Sequence, residues 1–283
     1  MNHVDTHTGE HEVFDHIWTR AKLFYNEGDI QRCQSFPELW EAVKFQRLAG
    51  FLPTGSQRAL EVGCGSGGVS LFFHNTRDWD VSLVDLSDEA LTFARRNFSA
   101  HARKPAARAA FVKADALTLP YGTESFDVVM SFGLLEHFSD IEQPIAEQMR
   151  VLKKGGLFWA DLVPRRFSVE TFSYIPARAK KVIHYTLAGK FRELARATEA
   201  DFYENSYSLE YYVAMLEKSG GTVKHALGNR PVTSVGRIPV VSNALLNFYK
   251  TDLMQKWWKD FDLSNSRFSK WWGAGWWVLA VKK

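Results

Sequence analysis

Two kinds of hydrophobic periodicity divide the chain. Residues 12–26 and 36–50 repeat apolar positions at helical spacing, and the second run opens on Ser35-Phe36-Pro37-Glu38, the spacing of a capping box. Pro53-Thr54-Gly55 then breaks the chain. From Arg58 onward, short apolar runs alternate with amphipathic stretches, the pattern of parallel strands joined by crossover helices. The expected strands are Ala59–Val62, Val81–Asp85, Ala110–Lys113, Phe126–Ser131 and Leu157–Asp161. Ser87-Asp88-Glu89 starts one helix, and Asp140–Leu152 forms another that closes on Lys153-Lys154-Gly155-Gly156, with cations and glycine suited to a C-terminus. After Asp161 the alternation stops until a helix at Ser208–Ser219, a strand at Thr222–Leu227 and a last strand at Trp276–Lys282.

This pattern predicts an α/β protein in four parts. Residues 1–52 form a helical segment, 53–161 an α/β core, 162–200 a basic amphipathic insertion, and 201–283 the rest of the core with a second insertion at 235–273. Connections this long are usually structured and commonly cover a site. Composition adds little to the picture. With 46% hydrophobic and 24% charged residues in 283, disorder is excluded, and a net charge of +3 does not advertise a nucleic-acid partner. The two cysteines, Cys33 and Cys64, make neither a disulfide framework nor a thiolate zinc site, and no metal is expected. The longest apolar runs fall short of a bilayer span and the first residues lack an apolar signal, so a cytoplasmic location is expected. Six tryptophans crowd the last 27 residues, a cluster read as core.

The chemistry concentrates in Leu60-Glu61-Val62-Gly63-Cys64-Gly65-Ser66-Gly67-Gly68, a strand entering a glycine-rich turn and a helix. Such a turn lets a ligand approach the main chain and meet the free N–H groups of a helix start. Gly63, Gly65 and Gly68 literally match G-x-G-x-x-G, and Asp85 follows Gly63 by 22 residues, as in a dinucleotide site with a ribose-binding carboxylate. Glu61 argues otherwise. A carboxylate there would repel a pyrophosphate and suit an ammonium, which S-adenosylmethionine carries together with ribose hydroxyls.

Five ordered motifs, LEVGCGSGG, VDLS, KADALTLP, FDVVMSFGLLEHF and LKKGGLFWAD, resemble the class I S-adenosylmethionine-dependent methyltransferases. Within that family the chain is similar to the small-molecule enzymes that methylate quinone precursors, closely over residues 58–161. The resemblance implies a Rossmann-like, seven-stranded, mostly parallel sheet with an antiparallel last strand and helices on both faces. It also implies S-adenosylmethionine as cofactor, leaving S-adenosylhomocysteine as product. By position, Gly63, Cys64 and Gly65 would line the methionine part and Glu61 would hold its ammonium. Asp85 would take the ribose hydroxyls, Leu86 would lie against the adenine, and Asp115 and the Ala116 N–H would bond the base. Ser131, Phe132 and Gly133 would close the other side.

Methyl transfer from a sulfonium to a hydroxyl or acidic carbon needs a base, whereas an amine arriving neutral does not, and the sequence leaves O, N and C acceptors open. His137 and Asp161, at carboxyl ends of strands, are the candidates, His137 first because imidazole titrates near neutrality. Residues 163–197 hold eight cations against two carboxylates, with apolar positions at helical spacing. Either this is a surface helix with a solvated basic face, or it covers the substrate. As a cover it would clamp an anionic substrate through Arg165 and Arg166, with His184 a further candidate, or rest on an anionic membrane. By the same resemblance, Tyr25 or Trp18 would contact the cofactor from an N-terminal helical cover. The rival function is a nicotinamide-dependent oxidoreductase. Nucleic-acid methylation is not expected, because Ser131-Phe132-Gly133-Leu134 stands where a base-flipping motif would follow the fourth strand. The oligomeric state is not legible.

Overall fold

The computed structural model describes residues 15, 18–19, 25–105, 108–172, 182–190, 203–233 and 239–283. Most of the expected helix at 12–26 and of the basic stretch at 173–181 and 191–200 lies outside the described residues. Seven strands form one sheet: β1 (Arg58–Val62), β2 (Asp80–Asp85), β3 (Ala109–Lys113), β4 (Phe126–Phe132), β5 (Leu152–Leu162), β6 (Gly221–Asn229) and β7 (Gly275–Lys282), in the order β3-β2-β1-β4-β5-β7-β6. The strands from β1 to β5 pair in parallel, and β7 runs antiparallel between β5 and β6.

Helices cover both faces, so the central strands are apolar on both sides. Successive residues therefore enter opposite cores. Leu60, Val129 and Phe158 pack under α4 (Glu142–Val151) and α5 (Leu209–Lys218), whereas Ala59, Val128 and Trp159 pack under α1 (Phe36–Phe51), α2 (Gly68–Arg77) and α3 (Asp88–His101). The capping box forms as expected. The Ser35 hydroxyl accepts from the Glu38 N–H, and the Glu38 carboxylate accepts from the Gln34 N–H and the Ser35 hydroxyl.

The end of α4 differs from the expectation. The helix stops at Val151, and Lys153-Lys154-Gly155-Gly156 is not a C-terminal cap but a bulge within β5. Leu152 stands opposite Phe126 and Leu157 opposite Val128, so four residues loop out against one. Gly155 takes the left-handed conformation there, with φ 74°, and Lys153 Nζ lies 2.7 Å from Asp127 Oδ1. Leu152 is fully buried; placing its side chain in the core favours pairing over another helical turn.

The stretch 235–273 is largely helical: α6 (Pro239–Tyr249), α7 (Asp252–Asp262) and α8 (Arg267–Trp272). It docks on α1 through a third core in which Leu39 and Val43 meet Val232, Leu246 and Trp258. A buried ion pair, Arg47 Nε to Asp262 Oδ2 at 3.3 Å, ties α7 to α1. The tryptophan cluster divides. Trp258, Trp276 and Trp277 are buried, but Trp257 and Trp271 are about half exposed, contrary to a uniform core reading.

Candidate active site

β1 delivers the chain into its glycine turn at the carboxyl end of the sheet. The N–H groups of Gly63 and Cys64 both donate to the Val84 carbonyl, at 2.8 and 3.0 Å, binding the turn to β2. The third left-handed glycine is Gly67 (φ 65°), the N-cap of α2; a Cβ on it would stand 2.5 Å from the Leu83 side chain. Gly68, which completed the dinucleotide spacing, is an ordinary first helical residue. Gly65 (φ 49°) lies under Trp18, whose ring is 2.5 Å from where a Cβ would be. The turn is thus Gly-x-Gly-x-Gly in conformation, with bare main chain facing a cavity of about 300 Å³.

The cavity gathers Glu61, Gly63, Cys64 and Gly65 from β1 and its turn, with Asp85 and Leu86 from the end of β2. Asp115 and Ala116 come from beyond β3, and Phe132, Gly133 and His137 from the end of β4. Its polar walls are mostly acidic. Glu61 is buried, and its Oε2 accepts from the Ser70 N–H at 3.0 Å; burial pushes its carboxyl up to about 7, opposed by Ser70 and Lys44. Asp85 accepts from the Gly65 N–H (2.9 Å) and the Ser87 N–H (3.0 Å), and burial raises it too. Asp115 accepts from the Leu117 N–H at 2.9 Å. Two charged wall residues escaped the sequence reading. Glu41 and Lys44 reach the cavity from one face of α1, where burial pushes Glu41 up and Lys44 draws it down. Lys44 Nζ lies 5.1 Å from the centre of the Phe132 ring.

The remaining candidates lie elsewhere. Ser131 is buried in the sheet between Val62 and Ala160, on the face of β4 that carries Val129, and does not line the cavity. Asp161 is also outside the wall: its Oδ1 accepts from the Asn229 amide at 2.9 Å and its carbonyl from the Gly133 N–H at 2.9 Å. Arg166 is occupied by packing. Its guanidinium donates to the carbonyls of Trp271 and Gly273 and lies 4.4 Å from the centre of the Trp276 ring, and burial pushes it down to about 10. Arg165 is exposed, with its N–H on the Asn205 carbonyl, and His184 is exposed in the 182–190 stretch, away from the cavity wall.

His137 closes a short 3₁₀ turn, Leu135–His137, and its Nδ1 stands 2.8 Å from the Tyr203 carbonyl oxygen. A carbonyl only accepts, so Nδ1 carries the proton and, in the neutral ring, Nε2 is the basic nitrogen. Beside it Glu136 is buried, with Oε1 accepting from the Val163 N–H at 3.2 Å, and burial pushes its carboxyl up to about 8. Asp262 is likewise pushed up to about 8 by burial, against the pull of Arg47.

Three carboxyls raised in this way predict an unusual pH dependence. Each binds its proton more tightly folded than unfolded, so its contribution to stability is complete below the ordinary carboxylate range and is lost as pH rises through 7–8. The melting temperature of the ligand-free protein is expected to fall by on the order of several degrees between pH 5 and pH 8, measured by scanning calorimetry. Glu136→Gln should flatten that slope, and an unchanged slope would remove Glu136 from the account.

Comparison with known proteins places this geometry. Residues 60–160 match the family model described as a methyltransferase domain. That segment is a class I S-adenosylmethionine-dependent methyltransferase domain, and S-adenosylmethionine is the cofactor such domains take. Among curated proteins, the chain is 31% identical over 175 residues to 27-O-demethylrifamycin SV methyltransferase of Amycolatopsis mediterranei, covering 62% of this chain and 57% of that one. It is 29% identical over 170 residues to the ubiquinone/menaquinone biosynthesis C-methyltransferase UbiE of Paracoccus denitrificans, covering 59% and 60%. The match therefore spans somewhat over half the length of these relatives. The [4+2]-cyclase SpnF superposes with a TM-score of 0.59 at 18% identity, covering 97% of this chain and 94% of the other. A methyltransferase of Methanosarcina mazei gives 0.52 at 17% identity, covering 83% and 96%. Both share the fold. Among the described residues, no helix is long and apolar enough to cross a membrane.

Proposed function

We propose that the protein methylates a small, largely apolar molecule at a hydroxyl or acidic carbon, using S-adenosylmethionine. The observation that carries this reading is the charge of the cavity: Glu41, Glu61, Asp85 and Asp115 line it against Lys44. Such walls favour a ligand bearing an ammonium and a sulfonium and disfavour a pyrophosphate. The oxidoreductase alternative loses its footing on the same ground. Relatives named for a rifamycin and a quinone precursor support a small-molecule acceptor.

The residues fit the cofactor. Glu61, whose carboxyl burial raises to about 7, would gain a partner in the ammonium; the bare main chain of Gly63–Gly65 would admit the methionine portion; Asp85 would accept from the ribose hydroxyls. Leu86 would pack on the adenine, and Asp115 with the Ala116 N–H would bond its edge. Phe132 and Gly133 close the opposite side, without Ser131. Bound there, the cofactor supplies an electrophilic methyl group on a sulfonium whose departure as a neutral thioether needs no acid. The protein's part is alignment, exclusion of water, and a place for the acceptor's proton. That place is His137 Nε2, which the Tyr203 carbonyl orients by fixing the proton on Nδ1. Asp161 does not share this role, since its carboxylate faces Asn229.

Calorimetric titration of the full chain with S-adenosylmethionine, NADH and NADPH tests the reading. Saturable binding of the sulfonium compound alone is expected. Binding of a nicotinamide in its place would overturn it.

A further inference from the structure

Beyond the cavity, the described surface carries a group of exposed aromatic rings. Phe268 is 58% exposed, Trp271 and Phe167 52%, and Trp257 and Phe172 44%. Phe268 meets Trp271, Trp271 meets Phe167 and Phe167 meets Phe172, and the buried ring of Phe261 links Trp257 to Phe268 from beneath, with ring centroids 5.7–6.3 Å apart. Leu253, 74% exposed, extends the run one helical turn before Trp257 on α7. Scattered apolar side chains need no explanation, but a connected aromatic face on α7, α8 and the strand exit at 167–172 does.

Its surroundings indicate the partner. Lys259 and Arg267 are exposed and Lys270 partly so; Asp252 and Asp260 are the exposed acids of α7 and α8, with Asp260 paired to Lys256 at 3.1 Å, and Asp262 is buried against Arg47. Rings flanked by cations on long stems are the arrangement that settles into a lipid headgroup layer, the rings at the acyl boundary and the cations on anionic phosphates. The location agrees. Leu162 pairs with Trp276 and Asn229 with Gly275, which puts the start of β7, and α8 just before it, at the same end of the sheet as the cavity.

We propose that this face docks on the surface of an anionic phospholipid membrane. Docking would bring the cavity end of the sheet to the lipid boundary, where an apolar acceptor partitions. The proposal goes beyond the methyltransferase reading and does not depend on it.

Co-sedimentation of the full chain with sucrose-loaded vesicles, either phosphatidylglycerol mixed in equal parts with phosphatidylcholine or phosphatidylcholine alone, is the test. Wild type should pellet with the anionic vesicles and be released as salt rises toward about 0.5 M. The double variant Trp257→Ser/Trp271→Ser should partition at least about tenfold less. Lys259→Glu/Arg267→Glu, a second variant confined to exposed side chains, should lose its preference for phosphatidylglycerol. Failure of wild type to pellet, or equal pelleting by both variants, overturns the proposal. So does light scattering that shows a wild-type dimer dissociated by the tryptophan substitutions, which would assign the face to a second copy of the chain. Cofactor titration of the same samples reports separately on the cavity, so failure of one reading is distinguishable from failure of the other.

Discussion

Asp85→Ala is expected to weaken S-adenosylmethionine binding by about a hundredfold or more. Asp85 accepts from the Gly65 and Ser87 N–H groups, so it shapes the turn while presenting a charged acceptor to the cavity. Hydrogen bonds to a charged group contribute about 1.5–3 kcal/mol each, and losing two from a ribose accounts for the factor. Asp85→Asn, which keeps an acceptor for Gly65 but not the charge, should fall between, near tenfold. Calorimetry on the three proteins checks this; an alanine variant that binds like wild type would leave Asp85 as a turn residue only.

His137→Gln is expected to lower kcat by about a hundredfold to ten-thousandfold while leaving the cofactor Kd unchanged. The ring's anchoring to Tyr203 also has a structural consequence, so loss of rate alone would not separate a base from a strut. The pH profile does. If Nε2 takes the acceptor's proton, the acidic limb of kcat/KM present in wild type disappears in the variant. A variant with reduced rate and an unaltered limb would show that the proton goes elsewhere.

The ends of β1 to β4 are legible within one residue because buried parallel strands are short apolar runs bounded by turn residues. The glycine turn and the place of Asp85 at the end of β2 are legible for a similar reason: left-handed main chain constrains residue type locally. Glu41 and Lys44 were not, since a carboxylate and a lysine three residues apart on a helix look like any solvated pair until α1 packs over the turn. The burial of Ser131 between Val62 and Ala160 was not legible either, since the motif does not say where β4 ends and the cavity wall begins. Arg166 looked like an anion clamp only until its partners, the carbonyls of Trp271 and Gly273 more than a hundred residues away, were known. Lys153–Gly156 shows the limit of cap rules: a cationic, glycine-bearing sequence suits a helix end and a bulge equally, and the burial of Leu152 decides.

The reversed direction of β7 gives the molecule a division of labour open to engineering. Because β7 enters the sheet from the cavity end, the segment leaving β5 and the helical excursion between β6 and β7 both emerge at that one rim, while the glycine turn and its carboxylates belong to β1 and β2 on the other side. Segments exchanged between homologues at 163–208 or 235–273 would therefore alter that rim and leave the glycine turn and Asp85 in place, provided that the buried contact of Asp262 with Arg47 on α1 is kept.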